Sequence, residues 1–303
     1  MKKYWLILTL AVALSMGCSA SSGVPGASTP ATVDETPIAL PNAEGSLKFV
    51  VLGDFGTGGR SQYDLAATMA RFHDKFKFDT VITVGDNIYG SQRPKDYVTK
   101  FETPYKPLLD AGVKFYASLG NHDSREQQNY ALFNMGGKLY YTFKPPNQAV
   151  RFFMLDSNYP SPEQLTWLEQ ELKNSGSDWK IAAFHHPLYS SGEFHGSDLK
   201  LREALEGLFV QNNVSVVFSG HDHFYERIKP QRGIVYFIVG SGGKLRAGNI
   251  IKTSTLTANG FDTGNAFLAV EIADDTMYFN AITTDGSVVD SGIIERRVLA
   301  SKP

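Results

Sequence analysis

The sequence has only one cysteine among its 303 residues, Cys18, which excludes a disulfide framework and a thiolate metal site from the rest of the chain. It has no cluster of lysine or arginine, and its formal net charge is -2, so no nucleic-acid partner is expected. It also has no internal repeat. The composition, 42% hydrophobic and 20% charged, is typical of a globular protein.

The one distinctive apolar run is at the N-terminus, from Tyr4 to Leu14 after two lysines. This run is too short for a comfortable membrane span and predicts a signal peptide over residues 1–20. Cys18 resembles the lipid-attachment cysteine of bacterial lipoproteins, although Ser15 stands where such signals usually have leucine. Two alternatives remain open: membrane attachment through a lipid on Cys18, or simple cleavage after Ala20. Both predict export to the bacterial periplasm or cell surface.

Residues 21–45 are rich in Ser, Gly, Pro, Ala and Thr, which predicts a flexible linker. We expect the folded domain to occupy residues 46–303, and we expect the protein to be a monomer.

Strand and helix patterns alternate along this domain. Short apolar runs predict strands at 48–53, 79–85, 114–120, 180–184 and 214–218, and helical spacing predicts helices at 61–76, after Ser161, and at 197–209. Four later runs, IVYFIVG, NAFLAVEIA, TMYFNAI and SVVDSGII, predict strands in antiparallel order. The pattern indicates an α/β fold with two stacked β-sheets and flanking helices.

Polar residues follow five of these predicted strands where each strand ends. Ligands bind at the carboxyl edge of open α/β sheets, so we expect these side chains to lie together. Any one of them could be a helix cap, a turn residue or a core histidine, but five coincident blocks favour a site. The residues are Asp54; Asp86, Asn87 and Tyr89; Asn121, His122 and Asp123; His185 and His186; and His221 and His223.

The donor types in these blocks indicate the chemistry. Carboxylate, amide, phenol and imidazole groups suit iron, zinc or manganese better than a thiolate-bound centre. The candidates are too numerous for one tetrahedral ion, and their number fits two ions that share a bridging carboxylate, as in hydrolytic phosphate chemistry.

The blocks GDFG, GDNIY, GNHD, HHP and GHDH, in this order, resemble those of calcineurin-like metallophosphoesterases. Tyr89, QLTWLEQEL and GEFHG make the chain similar to the small, tartrate-resistant type of purple acid phosphatase. The resemblance implies a four-layer αββα sandwich. It also implies an Fe(III) ion and a second divalent metal, which would be Fe, Zn or Mn. By this resemblance the Fe(III) ligands are Asp54, Asp86, Tyr89 and His223, and the ligands of the second metal are Asp86, Asn121, His185 and His221.

The resemblance further implies an acid phosphatase that hydrolyses phosphomonoesters by attack of a metal-bound hydroxide. His122 and His195 match the histidines that contact the substrate phosphate and protonate the leaving group. A phosphodiesterase of the same superfamily and a non-catalytic metal-binding lipoprotein are the alternatives.

Several details stay open in the sequence. Because two histidines are adjacent in the HHP block, either His185 or His186 could be the ligand, and the H-x-P register favours His185. Asp123 could orient His122 or cap a turn. Lys244 and Arg246, in the polar segment 241–265, could meet substrate charge or be solvated surface residues.

Overall fold

A computed structural model describes residues 39–298. The predicted signal peptide, Cys18 and most of the predicted linker lie outside these residues. Within them, no helix combines the length and the hydrophobicity needed to cross a bilayer. Two residues of the predicted linker, Asn42 and Ala43, donate their backbone N–H groups to the buried carboxylate of Glu271 at 2.7 and 2.6 Å.

The first sheet has six strands in the order β13-β12-β11-β1-β2-β3. The first three strands of the chain are parallel neighbours, and the last three continue the sheet in antiparallel pairs. The strands are β1 (Leu47–Leu52), β2 (Thr80–Val84), β3 (Lys114–Ser118), β11 (Ala266–Ala273), β12 (Thr276–Thr283) and β13 (Val288–Glu295).

The second sheet has seven strands in the order β10-β8-β9-β7-β6-β5-β4. Its strands are β4 (Tyr141–Phe143), β5 (Val150–Met154), β6 (Trp179–Ala183), β7 (Val214–Ser219), β8 (Tyr225–Gln231), β9 (Ile234–Val239) and β10 (Thr257–Phe261). The predicted antiparallel order is confirmed for β11, β12 and β13, but it is wrong for β9, which lies in the second sheet and pairs in parallel with β7 and antiparallel with β8.

The two sheets pack face to face through aromatic side chains. The ring of Phe49 on β1 lies 5.2 Å from that of Phe152 on β5, in an edge-to-face arrangement. Phe237 on β9 and Phe279 on β12 make the same kind of contact at 5.1 Å. Such contacts add to the hydrophobic stabilisation of a buried core.

Helices cover the outer faces of both sheets. The helices are α1 (Arg60–Phe76), α2 (Pro94–Tyr97), α3 (Lys106–Asp110), α4 (Pro162–Asn174) and α5 (Leu199–Gln211), with a π-helical turn at Val98–Glu102 and 3₁₀ turns at Arg125–Asn129 and Ala131–Phe133. Phe72 of α1 packs on Phe267 of the first sheet, and Phe209 of α5 packs near Phe184, which follows β6 in the second sheet. The predicted fold of two stacked sheets with flanking helices is confirmed.

The start of α4 follows its sequence signal, with one difference. Ser161 is the N-cap and accepts a hydrogen bond from the backbone N–H of Gln164 at 3.2 Å. The Gln164 side chain does not complete a capping box. Its amide instead binds the backbone N–H and C=O of Asp156, which holds the turn after β5 against the helix.

Candidate metal centre

The five polar blocks do follow five parallel strands, three in the first sheet and two in the second. The backbone departs from the usual conformations at these strand ends: Asp54, Asp86 and His221 have φ angles of 55°, 52° and 70°. This left-handed region is uncommon for residues other than glycine, and such residues cluster at functional sites. The two sheets approach closely here, because a Cβ atom on Gly220 would lie 2.4 Å from Asp54 Oδ2 and 2.9 Å from the carbonyl oxygen of Val84.

One group of donors is formed by Asp54, Tyr89 and His223. The Tyr89 hydroxyl donates to Asp54 Oδ1 at 3.1 Å and lies 3.3 Å from Nε2 of His223. His223 Nε2 is 3.5 Å from the same carboxylate oxygen. Asp86 completes this group. One ligand atom each of Asp54, Asp86 and His223 lie within 4.8 Å of one another.

A second group surrounds Nε2 of His185. This atom is 3.1 Å from Asn121 Oδ1, 3.2 Å from His221 Nδ1 and 3.4 Å from Asp86 Oδ1. The other ring nitrogen of His185 donates to the carbonyl oxygen of Val84 at 2.8 Å, so Nε2 of the neutral ring carries no proton. An unprotonated nitrogen that faces a carboxylate and an amide oxygen is the arrangement that a cation stabilises. The residues therefore fit a metal ion, with Asp86 shared between the two groups.

The carboxylates of Asp54 and Asp86 are buried, and no lysine or arginine among residues 39–298 forms an ion pair with either of them. Burial, followed by the charge of Asp86, raises the pKa of Asp54 well above its usual value. Burial also acts to raise the pKa of Asp86, but His185 and several hydrogen bonds outweigh it and lower the pKa overall. Burying two adjacent charges is costly unless a cation compensates them.

Burial also keeps the imidazoles neutral. It lowers the pKa of His185 and His221, and it lowers that of His223 to about 4. Neutral imidazole is the form that binds metal. In the metal-free protein the Tyr89 phenol stays protonated, because burial and then the charge of Asp54 raise its pKa far above the usual range.

His186 has a different environment from His185. Ser157 Oγ accepts the backbone N–H groups of both histidines, at 3.2 and 3.0 Å, so its own proton is available for Nδ1 of His186 at 2.9 Å. Nε2 of His186 then carries a proton and cannot act as a metal ligand in this tautomer. The ring nevertheless borders the second group, 4.4 Å from the His221 ring.

His122 and His195 lie beside different donors and are both exposed. The ring of His122 lies 4.9 Å from that of Tyr89, and its backbone N–H donates to Asp86 Oδ1 at 3.0 Å. The ring of His195 lies 3.9 Å from that of His221, at a cavity of about 290 Å³. A cavity of about 380 Å³ beside Trp179 contains none of these residues.

Asp123 joins two of the blocks and has a larger role than the sequence indicates. Its carboxylate accepts five hydrogen bonds of 2.8 to 3.1 Å. Four come from the backbone and side chain of Asn87 and from the backbone of Ile88 and Gly120, and the fifth comes from the Gln127 side chain. The Asp123 carboxylate therefore links the loop that carries Asp86 and Tyr89 to the loop that carries Asn121 and His122, and it acts as a turn-capping residue.

Asp222, between His221 and His223, holds the segment that carries His195. Its Oδ2 accepts the Ser190 hydroxyl at 2.5 Å and the backbone N–H of Gly196 at 3.2 Å. Burial raises its pKa to about 6. The sequence carries no local signal for this role, because the groups that Asp222 binds lie on a different loop.

The structure thus brings together all seven predicted ligands, Asp54, Asp86, Tyr89, Asn121, His185, His221 and His223, and places His122 and His195 beside them. Their roles as ligands and catalytic groups stay predictions. A family model for calcineurin-like phosphoesterases matches residues 47–225, more than half of the chain. The chain belongs to this family.

Curated relatives of this phosphoesterase are purple acid phosphatases, and tartrate-resistant acid phosphatases are also among them. Purple acid phosphatase 7 from Arabidopsis thaliana is 25% identical over 289 residues, which cover 84% of this chain and 88% of the relative. The predicted resemblance to these proteins is confirmed.

Two solved structures share the fold of this phosphoesterase at 19% identity. Purple acid phosphatase PPD1 from yellow lupin (Lupinus luteus) has a TM-score of 0.68, with 85% of this chain and 55% of that chain covered. GAP50 of Plasmodium, described as the anchor in the inner membrane complex, has a TM-score of 0.71, with 84% and 90% covered. At this identity the two likenesses concern the fold alone.

Proposed function

We propose that this phosphoesterase is an acid phosphatase that hydrolyses phosphomonoesters at a binuclear centre. Asp54, Asp86, Tyr89 and His223 would hold Fe(III), and Asp86, Asn121, His185 and His221 would hold a divalent Fe, Zn or Mn ion. The observation that carries the proposal is the position of Tyr89. Its hydroxyl lies within 3.3 Å of both a carboxylate and an imidazole, so a phenol oxygen is part of the donor set.

When bound, the two ions would generate a nucleophile from water and neutralise the phosphoryl oxygens. The protein supplies the remaining functions. His122 and His195 lie beside the donors, where they can bind phosphoryl oxygens and give a proton to the departing ester oxygen. Asp123 and Asp222 act indirectly, because each fixes the loop that carries one of these histidines.

The test is the hydrolysis of an aryl phosphomonoester and of the matching diester between pH 4 and 9. Asp86→Asn is the blank, because it removes charge from the shared carboxylate without changing its shape. We expect faster monoester hydrolysis on the acid side and almost no activity in the variant. A preference for the diester would instead favour a phosphodiesterase with the same fold and ligands.

A non-catalytic, metal-binding surface protein is the second candidate function. GAP50, which shares the fold, is described as an anchor. The complete set of donors argues against this function for the present chain, since a protein that only binds a partner has no need for seven converging donor groups. Wild-type protein that binds two metal ions and hydrolyses neither ester would favour it.

We also propose that the protein is exported as a monomer and anchored through a lipid on Cys18, or otherwise secreted. The apolar run before Cys18 supports this proposal. Metabolic labelling with palmitate should mark the wild-type protein in bacterial cells, and Cys18→Ser should lose both the label and membrane association. An unlabelled protein of unchanged localisation would contradict lipidation.

A further inference from the structure

Two basic side chains, Lys244 and Arg246, reach the rim of the metal centre from the segment after β9. Lys244 Nζ lies 4.5 Å from the centre of the Tyr89 ring. The Arg246 guanidinium lies 3.5 Å from the centre of the Phe194 ring, which packs edge-on against the His195 ring at 4.6 Å. Lys244 therefore contacts a proposed ligand directly, and Arg246 is one side chain away from a proposed catalytic histidine.

The backbone of this segment is fixed to the candidate ligands themselves. The backbone N–H of Lys244 donates to the carbonyl oxygen of Asp54 at 2.9 Å, and that of Arg246 donates to the carbonyl oxygen of His223 at 3.0 Å. Hydrogen-bonded backbone of this kind holds the two Cα atoms in place relative to the site. The two cations therefore belong to the site and not to a loop that moves independently of it.

Neither charge is neutralised by the protein. Within residues 39–298, no carboxylate lies within 4.0 Å of the charged group of Lys244 or Arg246. Lys100, whose Nζ donates to the carbonyl oxygen of Tyr89 at 2.6 Å, differs in this respect because it also pairs with Asp96 at 3.5 Å. Aromatic rings support the two free cations without cancelling their charge.

We propose that Lys244 and Arg246 form an anion subsite beside the metal centre, and that the preferred substrates carry a second phosphate close to the one that is hydrolysed. This inference rests on the proposed phosphatase activity. The two proposed metal ions would compensate the charge of the phosphate that reacts, so Lys244 and Arg246 are available to a second anionic group of the substrate. Arginine and lysine are the side chains that bind phosphate.

Two kinds of small molecule share this chemistry: phosphoric anhydrides such as a nucleoside diphosphate, and sugar bisphosphates. For an anhydride, water adds to the terminal phosphorus and the bond from that phosphorus to the bridging oxygen breaks. The second phosphate leaves with the bridging oxygen, and the proton from water is released or taken up by that oxygen. No oxidant or further reactant is needed.

The test compares four proteins: wild type, Lys244→Gln, Arg246→Gln and the double variant. Lys252→Gln is the matched control, because Lys252 is an exposed lysine of the same segment without a contact to the site aromatics. Substrates are ADP, fructose 1,6-bisphosphate and p-nitrophenyl phosphate. We expect each single variant to lose about tenfold in kcat/KM for a substrate with a second phosphate, the loss of one hydrogen bond to a charged group. The ratio of this kcat/KM to that for the aryl phosphate should fall by about the same factor.

The two substrates separate the sources of the second phosphate. A selective loss with ADP alone identifies anhydrides, and a loss with both identifies a general second-phosphate subsite. An equal loss with aryl phosphate, or no loss with either substrate, overturns the proposal.

Binding of methylenediphosphonate, measured by calorimetry, keeps this test independent of turnover. Wild-type protein that hydrolyses none of the three substrates would overturn the proposed function. The binding measurement would still test the subsite. The double variant should bind this non-hydrolysable diphosphonate at least tenfold more weakly than the Lys252→Gln control does. Equal binding would refute it.

Discussion

Asp123→Asn is a near-isosteric change that tests whether the loops of the site are held together by one buried carboxylate. Asp123 accepts five hydrogen bonds, three at Oδ2 and two at Oδ1. Asparagine must place an NH₂ group at one of these positions. Fewer hydrogen bonds are lost when the NH₂ group takes the Oδ1 position. The N–H groups of Ile88 and Gln127 then face a donor and have no acceptor there.

The cost follows from these two bonds. A hydrogen bond to a charged group contributes about 1.5–3 kcal/mol, so losing two costs about 3–6 kcal/mol. Part of this is offset, because asparagine removes a buried charge whose pKa burial has raised to about 7. We therefore expect the free energy of unfolding to fall by about 2–4 kcal/mol. Metal affinity should also fall, because the loops of Asp86 and Asn121 lose their common anchor.

Urea unfolding of the metal-free variant at pH 7.5 measures the first effect, and metal content after dialysis measures the second. Asp110→Asn is the control, since Asp110 is exposed and makes an i,i+4 ion pair with Lys106 at 2.8 Å. That variant should change stability by less than about 0.5 kcal/mol. If Asp123→Asn is no more destabilising than the control, the hydrogen bonds of Asp123 do not hold the two loops together in solution.

Three further predictions follow from the packing and charge of the site. Gly120→Ala should destabilise the protein by about 1–3 kcal/mol and lower its metal content, because a Cβ atom there would lie 2.2 Å from Asp86 Oδ1. Gly207→Ala in α5 is the control, measured in the same urea titration. Its Cβ atom would meet nothing within 4 Å, so it should stabilise the protein by about 0.5–1 kcal/mol. His185→Gln should reduce bound metal, measured by plasma mass spectrometry, while His186→Gln should retain it; the reverse result would show that the neighbour is the ligand. In the metal-free protein the His186 ring should titrate near pH 4 by NMR, because burial and then His185 lower its pKa from 6.5. Because the folded state holds this ring in its neutral form, the contribution of His186 to the free energy of unfolding is complete above pH 6.5 and is lost as the pH falls toward 4. A ring that titrates at its ordinary pKa would contradict the described burial.

The strand pattern and the placement of ligands at strand ends could be read directly from the sequence. Periodicity of two and 3.6 residues is a local property, and the glycine-aspartate pairs after β1 and β2 mark where each strand ends. Asp54 and Asp86 could be recognised as candidate ligands because their type and position coincide with those of three other blocks. The resemblance to a known family supplied the pairing of residues into two groups.

Contacts between distant loops were not readable in the same way. Asp123 and Asp222 accept hydrogen bonds from backbone N–H groups that lie up to 36 residues away in the chain, and nothing in local periodicity predicts such a partner. Ser157 follows a strand, β5, that the sequence did not predict. Strand β8, which lies between β7 and β9 in sequence, was not predicted, so the parallel pairing of β9 with β7 was not predicted either.

The most direct test of the account is the metal content and visible spectrum of protein purified in air. We predict two metal ions per chain, at least one of them iron, and a tyrosinate-to-iron absorption band that Tyr89→Phe removes while Tyr63→Phe leaves it unchanged. Tyr63 is the control because its hydroxyl binds the carbonyl oxygen of Thr99, away from the centre. Colourless, fully active protein with two zinc ions would contradict the ferric centre, and protein that binds one ion or none would contradict the binuclear site.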